Sequence, residues 1–142
     1  MTIQEQQDEI IADFEYLGEW MDKYEYIIQL GKELPLIKDQ YKTDENLIRG
    51  CQSRVWLHVD HIDGILFFTA DSDAVITKGL ISLVIKVLSG HTPKEIAAAE
   101  ITFIDAIGLS SHLSPTRSNG LLSMVKQIKL YALAYQAKSI QQ

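Results

Sequence analysis

Cysteine occurs once in these 142 residues, at position 51. A single thiol excludes an internal disulfide, and with it the stapled scaffolds of small secreted proteins. It also excludes metal sites built from several thiolates. Long hydrophobic runs are missing too. In the most apolar segment, residues 80–85 are interrupted by Ser82 and followed by Lys86, far short of the roughly 20 residues that span a bilayer as a helix. The opening stretch MTIQEQQDEIIADFEY has no basic region leading into an apolar one, so no secretory signal is read there and a cytoplasmic location is expected. A basic stripe is absent as well. Residues 1–45 carry twelve Asp or Glu against four Lys or Arg, and residues 46–142 carry seven against nine, for a chain of net charge −6. An acidic chain of this kind is a poor ligand for nucleic acid. Its acidic N-terminal part reads either as a solvated helix face or as a docking surface for a basic partner.

With 46% hydrophobic and 23% charged residues, what remains is an ordinary globular composition. The length suits one domain over residues 1–142. Ile10, Ile11, Phe14 and Leu17 recur at helical spacing over residues 4–17. Trp20, Tyr24, Ile27, Ile28 and Gly31 continue it in a second helix, closed by Pro35. Residues 36–50 lack a sustained period and read as a long connection, a kind of segment that in compact domains usually serves function. Residues 53–60, SRVWLHVD, alternate as a strand. Asp63-Gly64 is a hairpin-turn dipeptide, and ILFFTA returns as the second strand. A helix apolar on nearly every face follows, with Asp71 or Ser72 as N-cap and Gly90 as stop, and is expected to be central and buried. Thr92 and Pro93 open the next helix. After a short apolar piece, Ser114 caps a last helix that turns Leu121, Met124, Val125, Ile128, Ala132 and Tyr135 to the core. The fold class is therefore α+β: a small antiparallel sheet, built on a hairpin, packed against several helices.

Cys51 lies in RGCQSRVW, between Gly50 and Gln52 at the mouth of the first strand. Extending the hairpin pairing backward places it opposite residues 73–76, beside the start of the central helix, where unpaired N–H groups favour a thiolate. Asp71 and Asp73 oppose that effect by like charge. A lone cysteine is often only a small buried hydrophobe. Against this stand the polar flank, the position at a strand mouth and the long preceding connection, and the local chemistry leaves both readings open. Val75, Ile76, Ala74 and Trp56 are the expected surroundings of the thiol, an apolar set that would turn it inward at rest. His58, His61, His91 and His112 share no metal-ligand spacing, and Trp20 and Trp56 read as packing residues.

GCQSRVWL, the hairpin, DSDAVITKGLI and HLSPTRSNGL together resemble the SufE family of cysteine-desulfuration proteins, in the same order and over nearly the whole chain. The resemblance implies a fold like that of SufE and of iron–sulfur scaffolds of the IscU type. It implies that Cys51 accepts sulfur from the persulfide of a cysteine desulfurase, stimulates that enzyme, and passes the sulfur to an iron–sulfur scaffold complex. Gly50, Gln52, Asp71, Ser72, Asp73 and Arg117 are then the supporting loop and partner surface. No cofactor and no metal are expected on this chain, because pyridoxal phosphate belongs to the desulfurase; nor is a nucleic-acid or membrane partner. A homodimer is compatible with the resemblance. Two alternatives stand beside it: a sulfur acceptor that serves a paralogous desulfurase, and a cysteine-dependent hydrolase or transferase with His112 as the best-placed base.

Overall fold

The computed structural model describes residues 1–50, 53–112 and 115–141, with the backbone alone at 110, 111, 115–118 and 139–141. Helix α1, Ile3–Leu17, begins in a capping box in which Thr2 accepts from the Glu5 N–H and Glu5 accepts from the Thr2 N–H. Its buried residues Ile3, Gln7, Ile10 and Phe14 are spaced by three and four, one face of a helix. Gly18, at φ +73°, ends it. Helix α2, Trp20–Gly31, follows at once.

Two strands, β1 (Val55–Ile62) and β2 (Ile65–Ser72), form an antiparallel hairpin. Asp63 (φ 51°) and Gly64 (φ 80°) make its turn, both in the left-handed region that a two-residue I′ turn demands. Pairing runs from Ile62 opposite Ile65 to Val55 opposite Ser72, the register expected from the sequence. The first strand starts and ends two residues later than the alternation suggested, since ladder pairing continues up to the tight turn. Val55, Leu57, Leu66, Phe68 and Ala70 are buried.

Neighbouring segments pair with part of each edge of this small sheet. Ile48 N–H donates to Val55 O at 2.8 Å on one side, and Ala70 exchanges backbone hydrogen bonds with Pro35 and Ile37 on the other. Farther along β2, Leu66 N–H donates to His91 O and accepts from Gly90 N–H through its own carbonyl. Covered edges remove a template for pairing with other chains.

Helix α3, Val75–Leu88, is the buried element, with every residue from 79 to 85 inaccessible. It crosses α2 closely enough that Gly31 and Gly79 meet backbone to backbone. Its N-cap is Ala74, without a side-chain bond, which corrects the expectation of Asp71 or Ser72. Ser72 is still paired in β2, and its hydroxyl accepts from Ala74 N–H at 3.2 Å as a local turn. The helix ends at Leu88, and Gly90 (φ +83°) makes the turn that follows. Helix α4, Pro93–Ala98, has the expected Thr92 cap, with Glu95 completing a second capping box and Pro93 at the first position. Two short helices, α5 (Phe103–Ala106) and α6 (Leu109–His112), lead to the long α7, Pro115–Gln141. On α7, Leu121, Met124, Val125, Ile128 and Ala132 are buried and Tyr135 packs against the same core. Ser114, expected as the cap of α7, lies outside the described residues.

Candidate functional site

The segment that carries Cys51 is bounded by two anchored points. On its N-terminal side, Gly50 has φ +92°, a region hostile to side chains. A methyl group added there would lie 2.7 Å from the Ser123 hydroxyl on α7, which would have to turn aside; the backbone angle itself calls for glycine. On its C-terminal side, Arg54 N–H donates to an Asp73 carboxylate oxygen at 3.0 Å, and Asp73 N–H donates to Arg54 O at 3.3 Å. This continues the hairpin register one step beyond the last ladder pair. Cys51 and Gln52, between these anchors, lie outside the described residues, as does the Arg117 side chain in the first turn of α7.

Asp71 is the electrostatic centre of the neighbourhood. Lys42 from the long connection reaches one carboxylate oxygen at 2.6 Å, Lys78 from the first turn of α3 reaches the other at 3.3 Å, and Ser72 N–H donates at 2.8 Å. Burial alone would raise the carboxyl pKa. The hydrogen bonds from Lys42 and Ser72, with the charges of Lys78 and Lys42, outweigh it and hold the pKa below the ordinary aspartate value. The Asp71 hydrogen bond in turn raises Lys42 above the usual lysine value, against its partial desolvation and with help from Asp39. Lys42 also stands 5.6 Å from the ring centroid of Trp56, and the neighbouring Tyr41 stacks on His58 with centroids 3.8 Å apart. The connection is thus fastened across the outer face of the hairpin, between the strand that Cys51 precedes and the helix that follows β2.

Of the expected site residues, the structure brings Asp71, Ser72 and Asp73 to this corner and seats Gly50 against α7. Among the expected surroundings of the thiol, Ile76 packs on the core but Val75 is 63% exposed, so that set is less enclosed than its composition implied. Lys42, Lys78 and Ser123 were not foreseen. Lys78 had a signal, because a cation in the first turn of a helix opposes the macrodipole unless a carboxylate faces it. Lys42 and Ser123 had none, since their roles depend on long-range packing.

The histidines have local partners. His112, the base considered for hydrolase chemistry, stacks on Trp20 at 3.7 Å between centroids, and its Nδ1 lies 3.1 Å from Gly108 O. Tyr24 donates to His112 O at 3.1 Å, and together these contacts tie the start of α2 to the junction ahead of α7. His58 lies 3.2 Å from Asp60, and His91 lies 3.6 Å from Glu95. Among the described residues, no cluster of three or more His, Cys, Asp or Glu is placed to hold a metal ion, and no helix is long and apolar enough to cross a membrane.

Comparison with known proteins finds a family model, described as SufE, Fe-S metabolism associated domain, matching residues 8–132. An uncharacterised SufE-like protein of Rhizobium meliloti is 46% identical over 133 residues, covering 86% of this chain and 91% of its own length. A SufE-like protein of Rhizobium etli is 46% identical over 128 residues and covers 86% of each. The solution structure of a hypothetical protein from Thermus thermophilus matches with a TM-score of 0.77 over 93% of this chain and 96% of that one, at 16% identity. That last likeness is one of fold.

Proposed function

Because the chain belongs to the SufE family of Fe–S metabolism associated domains, we propose that it is a sulfur acceptor and carrier working with a cysteine desulfurase, with Cys51 as the residue that holds the sulfur. The observation that supports this most directly is the anchoring of the residues on either side of the chain's only thiol in sequence: Gly50 is seated on Ser123, and Arg54 is paired with Asp73. A short segment fixed at both ends can present one side chain to a partner without rearranging the core.

The Cys51 thiolate attacks the outer, sulfane sulfur of the donor's persulfide. A bond forms between the Cys51 sulfur and the sulfane sulfur, the donor's sulfur–sulfur bond breaks, and the donor thiolate leaves with the electron pair. No external oxidant or reductant is needed, and one thiol suffices. A second thiol in the same chain could attack the new persulfide and release its sulfur as sulfide. The absence of further cysteines therefore fits a carrier and argues against cluster assembly on this chain. Pyridoxal phosphate remains with the desulfurase, and an iron–sulfur scaffold receives the sulfur. Arg117, one turn from the junction tied down by His112 and Trp20, is assigned to the partner surface.

The test is desulfurase turnover with cysteine as substrate. Wild-type protein should stimulate it, and Cys51→Ser, which folds alike because serine is close in size, should not. Full stimulation by the serine variant would remove Cys51 from the mechanism.

A further inference from the structure

Past Asp105 the chain contains no carboxylate side chain. Residues 106–142 hold Arg117, Lys126, Lys129 and Lys138 and neither Asp nor Glu, in a protein of net charge −6. Two of these cations stand on α7 beside an apolar stripe. Leu122, Lys126, Leu130 and Leu133 follow one another at spacings of four, four and three, one face of the helix, and the leucines are 55, 48 and 53% exposed. The buried face of α7 is already occupied by the core, so this second apolar face is turned outward.

The stripe lines a hollow of about 440 Å³ together with Ile101, Ile104 and Asp105. Lys129 donates to the Ala99 carbonyl and ties the helix to the segment just before Ile101. A more polar hollow of about 420 Å³ adjoins it, lined by Glu45, Arg49 and Ser123 as well as by Lys126 and Leu130. Lys126 and Leu130 belong to both hollows, so they make one groove across α7. Its polar end is at Arg49, beside Gly50 and two residues ahead of Cys51.

We propose that this groove is the seat of the sulfur donor: an acidic segment of the desulfurase lays apolar side chains between the α7 leucines and Ile104, with its carboxylates facing Lys126 and Arg49. The proposal rests on the sulfur-acceptor reading and adds where and by what chemistry the donor is held. Charge complementarity carries the choice of occupant. Arg49, Lys126 and Lys129 outnumber Asp105 and Glu45 in the groove's lining, and such a net basic, apolar strip on an otherwise acidic protein attracts an acidic partner to that strip and repels it elsewhere, which orients the encounter. An anionic lipid surface is the competing occupant of a basic apolar helix face. It is disfavoured because the groove is concave and the remainder of the chain is strongly acidic.

The test is binding of Lys126→Glu and Leu130→Ser to a purified cysteine desulfurase by calorimetry, in a Cys51→Ser background so that no sulfur moves. Both positions are exposed, thermal unfolding checks that the variants fold, and Lys126→Ala serves if the charge reversal does not. Each substitution should weaken affinity about tenfold, and Lys126→Glu should also flatten its dependence on salt. With Cys51 restored, the loss of sulfur transfer should be overcome by raising the desulfurase concentration. Wild-type affinity in both variants would overturn the groove while leaving sulfur acceptance by wild-type protein intact. Failure of wild-type protein to accept sulfur would instead overturn the parent reading. Binding to phosphatidylglycerol vesicles that Lys126→Glu abolishes, with desulfurase affinity unchanged, would assign the face to lipid and overturn the proposal.

Discussion

Asp71 carries two charge contacts that join segments far apart in sequence, Lys42 in the connection and Lys78 at the head of α3. Its pKa is held below the ordinary 3.8, so protonation favours the unfolded chain. The stabilisation is therefore present in full above about pH 4 and is lost as pH falls through the depressed value. Lys42 has the opposite sign: raised above 10.5, it contributes in full below about pH 10.5 and loses its contribution as pH rises through the higher value. Asp71→Asn removes both. We expect it to cost about 1 kcal/mol at pH 7, measured by urea unfolding, and the gap from wild type to narrow as pH is lowered below 3.8. A gap that stayed constant into strong acid would show that the carboxylate charge is not what stabilises this corner.

At the scale of elements, the tightest constraint is the crossing of α2 and α3. Gly→Ala in a helix interior ordinarily stabilises by about 1 kcal/mol. A methyl group on Gly79, however, would lie 2.0 Å from Ile27 O, and forcing atoms into such a contact costs about 1–3 kcal/mol or more. Gly79→Ala should therefore reverse the usual sign and lower stability by about 2 kcal/mol, read from the urea midpoint; a stabilised variant would mean the helices separate freely. In sequence this glycine looks like any helix-interior glycine. The hairpin, by contrast, could be read in advance, because Asp63-Gly64 sets a register that runs as far as Arg54 and Asp73. Helix starts were legible where a capping box writes them locally, as at Thr92. They were misread at Ala74, where β2 keeps Ser72 in its own ladder and no side chain caps the helix. Gln7 was also illegible: its buried amide donates to Glu100 O and accepts from the N–H groups of Thr102 and Phe103, a staple that exists only after folding.

At the scale of the whole molecule, charge and chemistry are divided. The acidic helices at the N-terminal end and the carboxylate-free α7 lie in one continuous core that runs from Ile3 to Ala132, and Gly50, the residue before the single thiol in sequence, abuts Ser123 of α7. Transfer of sulfur to this thiol is what the proposed function requires. It is tested most directly by mixing wild-type protein with a stoichiometric amount of cysteine desulfurase and cysteine, trapping with an alkylating agent, and reading intact mass and peptide map. We expect a gain of one sulfur atom, located on the peptide that contains Cys51 and absent from Cys51→Ser. A wild-type chain of unchanged mass, recovered beside a desulfurase that itself bears a persulfide, would contradict it.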